Sequence, residues 1–466
     1  MNKISTRNIN PAHIWQNWGQ SVTATPEKIF TPHSIAEVIT IVNDARQAGK
    51  TIRVVGTGHS WSPLVPTNDI LISMSKFNTI FVAPDRSQVT IGPGVTVDQL
   101  TPVLIENSVC LPSDVGQGVG EATYGGIVST GCHGSGINML TTSDYVVALE
   151  VITSHGEVAR FDETDPALLN AAKLALGMFG IITNITFKVQ PAFNVQVNEF
   201  KCSIDDCLKD LKSFVLDNDY AEVSWFPFND QVFMQKANKT TLPVTRVGPA
   251  PPSSAFDVTL NAAIGATSLS ALETDPDQTP DIIRAGFRMM SLYDYVCNVT
   301  DYLHNTDYSP ILPYKILDIE FAFNIDEEFN DVRKAFRICI ERVEKWQQAG
   351  LYPLNGAMGF RFTKNSDATL SPAKGNTYTA WMEFNSFYKT DLFTEFAGQL
   401  VQDLLHELPQ ARPHWAKGFQ FMPETIPNMK HAFGAQLNEF NALKAKAGVD
   451  PEGVFVNQYL KSLFFT

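Results

Sequence analysis

The chain has 466 residues, of which 44% are hydrophobic and 18% charged, a soluble globular composition too long for one ordinary core, so two domains are expected. The net charge of −14, with no basic stripe, argues against nucleic acid as a partner, and an anionic ligand has to be held locally by backbone N–H groups. No run reaches ~18 uninterrupted apolar residues, so no membrane span is expected, and MNKISTRNINPAHIWQNWGQ lacks the apolar core of a signal peptide, which points to a soluble intracellular protein. In chain order, Ser34 is placed to cap a helix with apolar positions Ile35, Val38, Ile39 and Ile41, and Gly49 ends it. Strands TIRVV, DILISM, TIFVAP and QVTIGPG follow, then a helix TVDQLTPVLIENS, a glycine-rich stretch SDVGQGVGEATYGGIVSTGCHGSG, and the strand pairs YVVALEVITSHGEVARF and GIITNITFKVQP. The pattern is α+β, without strict βαβ alternation. Composition shifts near Pro191. Beyond it come EVSWFPF, VFMQKA, a Pro/Gly-rich insert LPVTRVGPAPPSSAF, KILDIEFAF, a helix from 326 to about 348, AMGFRFT, YTAWMEFNSFY and a helical tail.

The six cysteines (110, 132, 202, 207, 297, 339) show neither zinc spacing nor a dense disulfide framework, and no metal site is expected. The N-x-S/T sequons at Asn184, Asn238 and Asn298 read as chance matches, the first lying inside a strand.

Two segments, GTGHS (56–60) and GGIVSTGCHGSG (125–136), are read as small-residue loops that let the backbone approach a ligand closely. Hydroxyls of Thr57, Ser60, Ser129, Thr130 and Ser135 add donors, so the two loops are suited to clamp a pyrophosphate. A Rossmann reading fits poorly: the first loop has no third glycine, Pro63 follows at once, and no acidic residue lies about twenty positions on. His59 on its own is open between a structural and a functional role.

GTGHS, then GGIVSTGCHGSG, then LGMFGIITNITFKV, together with RPHWAKGF (412–419) and the closing DPEGVFVNQYLKSLFF, resemble the vanillyl-alcohol-oxidase superfamily, in its sugar-1,4-lactone and alditol oxidase branch. The resemblance implies a two-part fold: an α+β FAD-binding domain over 1–190, a substrate domain on an antiparallel sheet flanked by helices over 191–420, and a C-terminal segment, 421–466, returning to the FAD domain. It implies FAD bonded covalently to His59. Further cofactor contacts are placed at Val54, Val55, Gly56, Thr57, Gly58, Ser60, Gly118, Thr123, Gly126, Ile127, Val128, Ser129, Thr130, His133, Ile181 and Ile182.

The activity implied is hydride removal from a secondary alcohol carbon of a sugar-derived 1,4-lactone or polyol, with O2 or another electron acceptor reoxidising the flavin. The alternatives are the same chemistry on another hydroxylated small molecule, or a flavin-bound protein that has lost turnover. Such chemistry needs a group to hold the hydroxyl proton and a positive group near the reduced ring. Lys417 in HWAK is the positive group, while His414 and Trp415 pack the loop. Arg361 matches the arginine of the branch's Glu-x-Arg strand, but Gly359 stands where the glutamate belongs. Glu383 and Asn385 share a face of the next strand, and Glu383 is the candidate substitute. Asp318 is a further substrate contact, with Glu320 on the same face; an ordinary exposed acidic face is the competing reading. The position governing oxygen access aligns with Gln117, between Gly116 and Gly118.

Overall fold

The computed structural model describes residues 14–114, 120–248, 270–272, 274–304, 316–386, 391–419 and 425–465. Gly116, Gln117 and Gly118 lie outside them.

Three sheets organise the chain. A three-stranded parallel sheet joins Lys28–Phe30, Ile70–Ser73 and Ile52–Val55 in that order. The helix Ile35–Gln47 covers it, with Ser34 accepting from the Glu37 N–H at 3.3 Å. Its buried stripe is Val38, Ile41, Val42 and Ala45; Ile35 and Ile39 fall outside it, because the helix presents its 3.6-residue face to Ile52, Ile70 and Ile72. A five-stranded antiparallel sheet follows, built from strands Ile80–Val82, Gln88–Ile91, Val146–Ile152, Val158–Asp162 and Ile181–Lys188.

The third sheet has eight strands: β1 (Asn194–Ser203), β2 (Tyr220–Trp225), β3 (Gln231–Thr240), β4 (Asp294–Asn298), β5 (Leu317–Asn324), β6 (Met358–Lys364), β7 (Tyr378–Ser386) and β8 (Arg412–Pro413), in the spatial order β4-β1-β3-β2-β6-β7-β5-β8. All its strand pairings among the described residues are antiparallel. Strand periodicity turns Met358, Phe360 and Phe362 of β6 onto the helix Asn330–Gln348, where Phe336 stacks on Phe360 with centroids 5.9 Å apart. Each such fully buried ring contributes roughly 1.5–3 kcal/mol. Gly359 and Arg361 of the same strand face the opposite way, into a cavity.

Two local expectations change. The long helix starts at 330 rather than 326, because Asp326 instead accepts the Asp331 N–H at 2.8 Å and Phe329 takes a left-handed φ of 60°. The 125–136 segment is not all loop: Tyr124–Thr130 is helical, since Ile127 and Val128 bury into the core, and Gly131 ends it at φ 74°. A Cβ on Gly131 would also lie 2.3 Å from Leu174. All six thiols are free, and no helix among the described residues is long and apolar enough to cross a membrane.

Candidate active site

A cavity of about 920 Å³ runs between the smaller sheets and the eight-stranded sheet, at the upper end of the range for ligand pockets. One half is lined by Val54, Val55 and the GTGHS loop, by Thr123, Gly126, Ile127, Ser129 and Thr130, and by Ile182. The GTGHS loop is fixed from outside: Trp18 N–H donates to Gly58 O at 2.8 Å, and Gly58 turns at φ 76°. Behind it the buried Arg53 guanidinium donates to the carbonyls of Leu64, Leu176 and Phe455, the last from the C-terminal tail. Burial draws its pKa down to about 10, against the pull of Asp450. Gly56 sets Thr123 close against the loop, since a Cβ there would sit 2.0 Å from Thr123 Oγ1 and displace it. Val128 and Ile181, expected among the cofactor contacts, do not line this cavity. Their neighbours do, and helix and strand periodicity turn these two into hydrophobic clusters.

His59 sits on this loop with Nε2 2.9 Å from Glu121 Oε1 and its ring tilted over Trp18, centroids 5.3 Å apart. A carboxylate accepts only, so Nε2 carries a hydrogen and donates it to Glu121.

The other half is a charge cluster. Lys417 Nζ contacts Asp318 Oδ2 and lies 3.4 Å from Glu383 Oε1 and 3.9 Å from Glu320 Oε2. Asp318 and Glu320 come from β5 and Glu383 from β7, with Glu320 and Glu383 directly opposite in register. The exposed-face reading of Asp318 and Glu320 is excluded: each is 3% exposed. The HWAK turn is stitched between β5 and the GTGHS loop, because His414 N–H donates to Glu320 O, Gly418 N–H to Asp318 O, and Trp61 N–H to Ala416 O. Lys417 Nζ also lies 5.1 Å from the centroid of the Trp61 ring.

Expected on the cofactor, His133 lines the cavity and is held by the sheet. Its ring stacks on Trp381 at 3.7 Å, and its nitrogens face Gly134 O at 2.9 Å and Glu320 Oε1 at 3.0 Å. His414 is neutral: Nδ1 accepts the Ala416 N–H, Nε2 faces Gly131 O, and burial depresses its pKa to about 4. His133, Glu320 and His414 form a compact group within metal-ligating distances, but these ring nitrogens are engaged by protein partners.

Burial, reinforced by the neighbouring Glu383, holds the Asp318 carboxyl well above the usual carboxylate range. Burial acts on Glu320 in the same sense, but His133 and Lys417 overcome it and hold Glu320 below that range. Glu383 is likewise held below it by Lys417, against burial. Lys417 is held charged by Asp318, Glu383 and Glu320, again against burial.

Arg361 ion-pairs with Glu222 of β2 at 3.7 Å. Glu222 is a residue the sequence reading passed over, although alternation in EVSWFPF sets it and Ser224 on one face. Burial raises Glu222, opposed by Arg361. Asn385 lines the cavity with Oδ1 accepting the Ala357 N–H at 3.2 Å.

The residues suit FAD. Among the described residues, no segment before residue 199 contributes an acidic side chain to the lining, in a chain of net charge −14. Backbone glycines and hydroxyls are what a diphosphate needs. The fold and site therefore define an FAD-dependent oxidoreductase with a vanillyl-alcohol-oxidase-type fold. Residues 26–162 match the family model of an FAD-binding domain, and residues 185–463 that of D-arabinono-1,4-lactone oxidase. The chain belongs to the D-arabinono-1,4-lactone oxidase family. It is 27% identical to L-gulonolactone oxidase of Bos taurus over 461 residues, spanning 97% of this chain and 98% of that protein. It is 26% identical to L-gulono-1,4-lactone dehydrogenase of Mycobacterium tuberculosis, spanning 96% and 98%. A solvent-stable cholesterol oxidase shares the fold, with a TM-score of 0.82 at 18% identity over 97% of both chains.

Proposed function

We propose that the protein oxidises a secondary alcohol of a sugar-derived 1,4-lactone or polyol, with FAD bonded to His59 and O2 as the acceptor, giving H2O2. The observation that carries this reading is the Lys417-centred cluster facing an acid-free cradle. FAD, when bound, accepts the hydride. Residues Val54–Ser60, Thr123, Gly126, Ile127, Ser129, Thr130 and Ile182 would hold it. Glu121 orients the His59 ring through Nε2. On the substrate side, ionised Glu383 accepts the hydroxyl proton as the C–H bond breaks. It stands directly opposite Gly359 in register, which supports its replacing the glutamate absent there. Lys417 holds the hydroxyl oxygen and offsets negative charge building nearby. Arg361, Asn385 and Asp318 position the remaining hydroxyls. The working division of the chain is 1–190 for FAD, 191–420 for substrate and 421–466 for the returning segment. Asn457 Nδ2, bonded to Pro63, Leu64 and Pro66 carbonyls, supports the last.

Acid denaturation of fully FAD-loaded protein tests the tether: yellow colour stays with the precipitate, and His59→Ala releases it. Anaerobic mixing with D-arabinono-1,4-lactone, L-gulono-1,4-lactone and sugar alcohols tests the chemistry. The flavin bleaches, air restores it with release of H2O2, and Glu383→Gln slows bleaching about 10²-fold. Flavin reducible by dithionite yet bleached by none of these alcohols refutes the reading.

A further inference from the structure

Resting on that oxidation reading, we propose a substrate class for the same site: a hydroxylated lactone or polyol bearing an aromatic or alkyl substituent. Its body passes over Gly359 onto an apolar wall on the far side of the sheet. Strand register lays out one transverse row facing the cavity: Glu320, Glu383, Gly359, Ser224 and Phe233. Neighbouring strands are ~4.8 Å apart, so Glu383 and Phe233 stand about 14 Å apart along it. A five-membered lactone ring covers only a fraction of that length.

Gly359 is the open step in the row. A Cβ built there meets nothing nearer than Ser224 Oγ at 3.8 Å and Val223 O at 3.9 Å. A glutamate at this position would stand in the passage; glycine leaves it clear. Beyond it the same cavity is lined by Phe226, Phe233, Met290 and Tyr293, and Tyr293, 38% exposed, marks the mouth.

Two of the charged side chains beside this wall, Glu199 and Lys201, are engaged with protein. Glu199 accepts from Gln235 Nε2 at 2.9 Å and from the Tyr293 N–H at 3.2 Å. Lys201 Nζ donates to the carbonyls of Phe287 at 2.6 Å and Met290 at 3.2 Å, holding that loop against the sheet. Phe226, Phe233, Met290 and Tyr293 give this wall a largely apolar surface, with Ser224, Ser291 and the engaged Glu199 beside it. Bare hydroxyls would lose water there without gaining partners, whereas a phenyl or alkyl group gains from burial.

The test compares D-arabinono-1,4-lactone with its 5-O-benzyl ether on the FAD-loaded enzyme, reading Kd from quenching of cavity tryptophan fluorescence and kcat/KM from flavin reduction. The ether is expected to bind at least tenfold more tightly. Gly359→Glu, which fills the passage, and Phe233→Ser, which strips the wall, should each return the ratio of the two Kd values towards one. Equal Kd values in the unaltered protein, or a benzyl advantage that survives both variants, overturns the proposal. If neither compound bleaches the flavin, the oxidation reading fails, and the Kd ratio still decides the question of substituent length.

Discussion

The cradle half of the cavity brings no acidic side chain among the described residues, while the sheet half brings Glu199, Glu222, Asp318, Glu320 and Glu383. The cradle works through backbone and fit: Gly56 packed against Thr123, Gly58 at a positive φ, hydroxyls, and a buried Arg53 pinning the loops from behind. The sheet half works through charge, with each carboxylate's proton set by its neighbours. The two should therefore fail in different ways, the cradle to added atoms and the cluster to isosteric changes of charge.

The largest effect is expected at Lys417. Replacing it with Met leaves three carboxyl groups around an empty position and should slow anaerobic flavin reduction by about 10³-fold with flavin content unchanged. Loss of flavin from that variant would mean that the cluster also builds the cradle.

Next comes Glu320→Gln, which removes the buried carboxylate facing His133 Nε2 and Lys417 Nζ and should cost on the order of 3 kcal/mol of stability. Its pH dependence has a definite sign. Glu320 is held below the usual carboxylate range in the fold, so its contribution is complete above the unfolded value, ~4.3, and is lost as pH falls through the folded one. Gln resembles the protonated acid, so the stability gap between the two proteins, measured by denaturant titration, should narrow below about pH 4.3. A gap independent of pH would show that packing, rather than charge, is what Glu320 supplies.

Gly56→Ala sharpens the other side. The added methyl displaces Thr123 and should lower bound FAD, read from the 450 nm absorbance per protein, while the flavin-free protein keeps its thermal midpoint. Full FAD loading in this variant would remove Gly56 from the cradle. Smallest is Ser34→Ala, far from both halves, which should cost about 1 kcal/mol through the lost cap without altering flavin content or reduction rate.

Legibility followed range along the chain. The cap at Ser34, the strand at 52–55 and the turn at Gly58 follow from neighbouring residues and were readable as such. The alternation in KILDIEFAF correctly put Asp318 and Glu320 on one face. It did not say whether that face met water, because the HWAK turn and the His133 loop that cover it arrive from elsewhere in the chain. The side chains of Val128 and Ile181 leave the cavity for a related reason: a contiguous motif suggested a contiguous lining, whereas periodicity turns every few side chains into the core.

By itself the sequence determined which residues could carry the chemistry, since loop conformation, strand alternation and helix caps depend on interactions a few residues long. Tertiary structure alone decided what those residues become. Register set Glu383 opposite Gly359, burial and neighbouring charge pushed the Asp318 carboxyl up and the Glu320 carboxyl down, and the sheet supplied the Trp381 and Glu320 partners of His133. Those outcomes depend on distances and local dielectric between segments far apart in the chain.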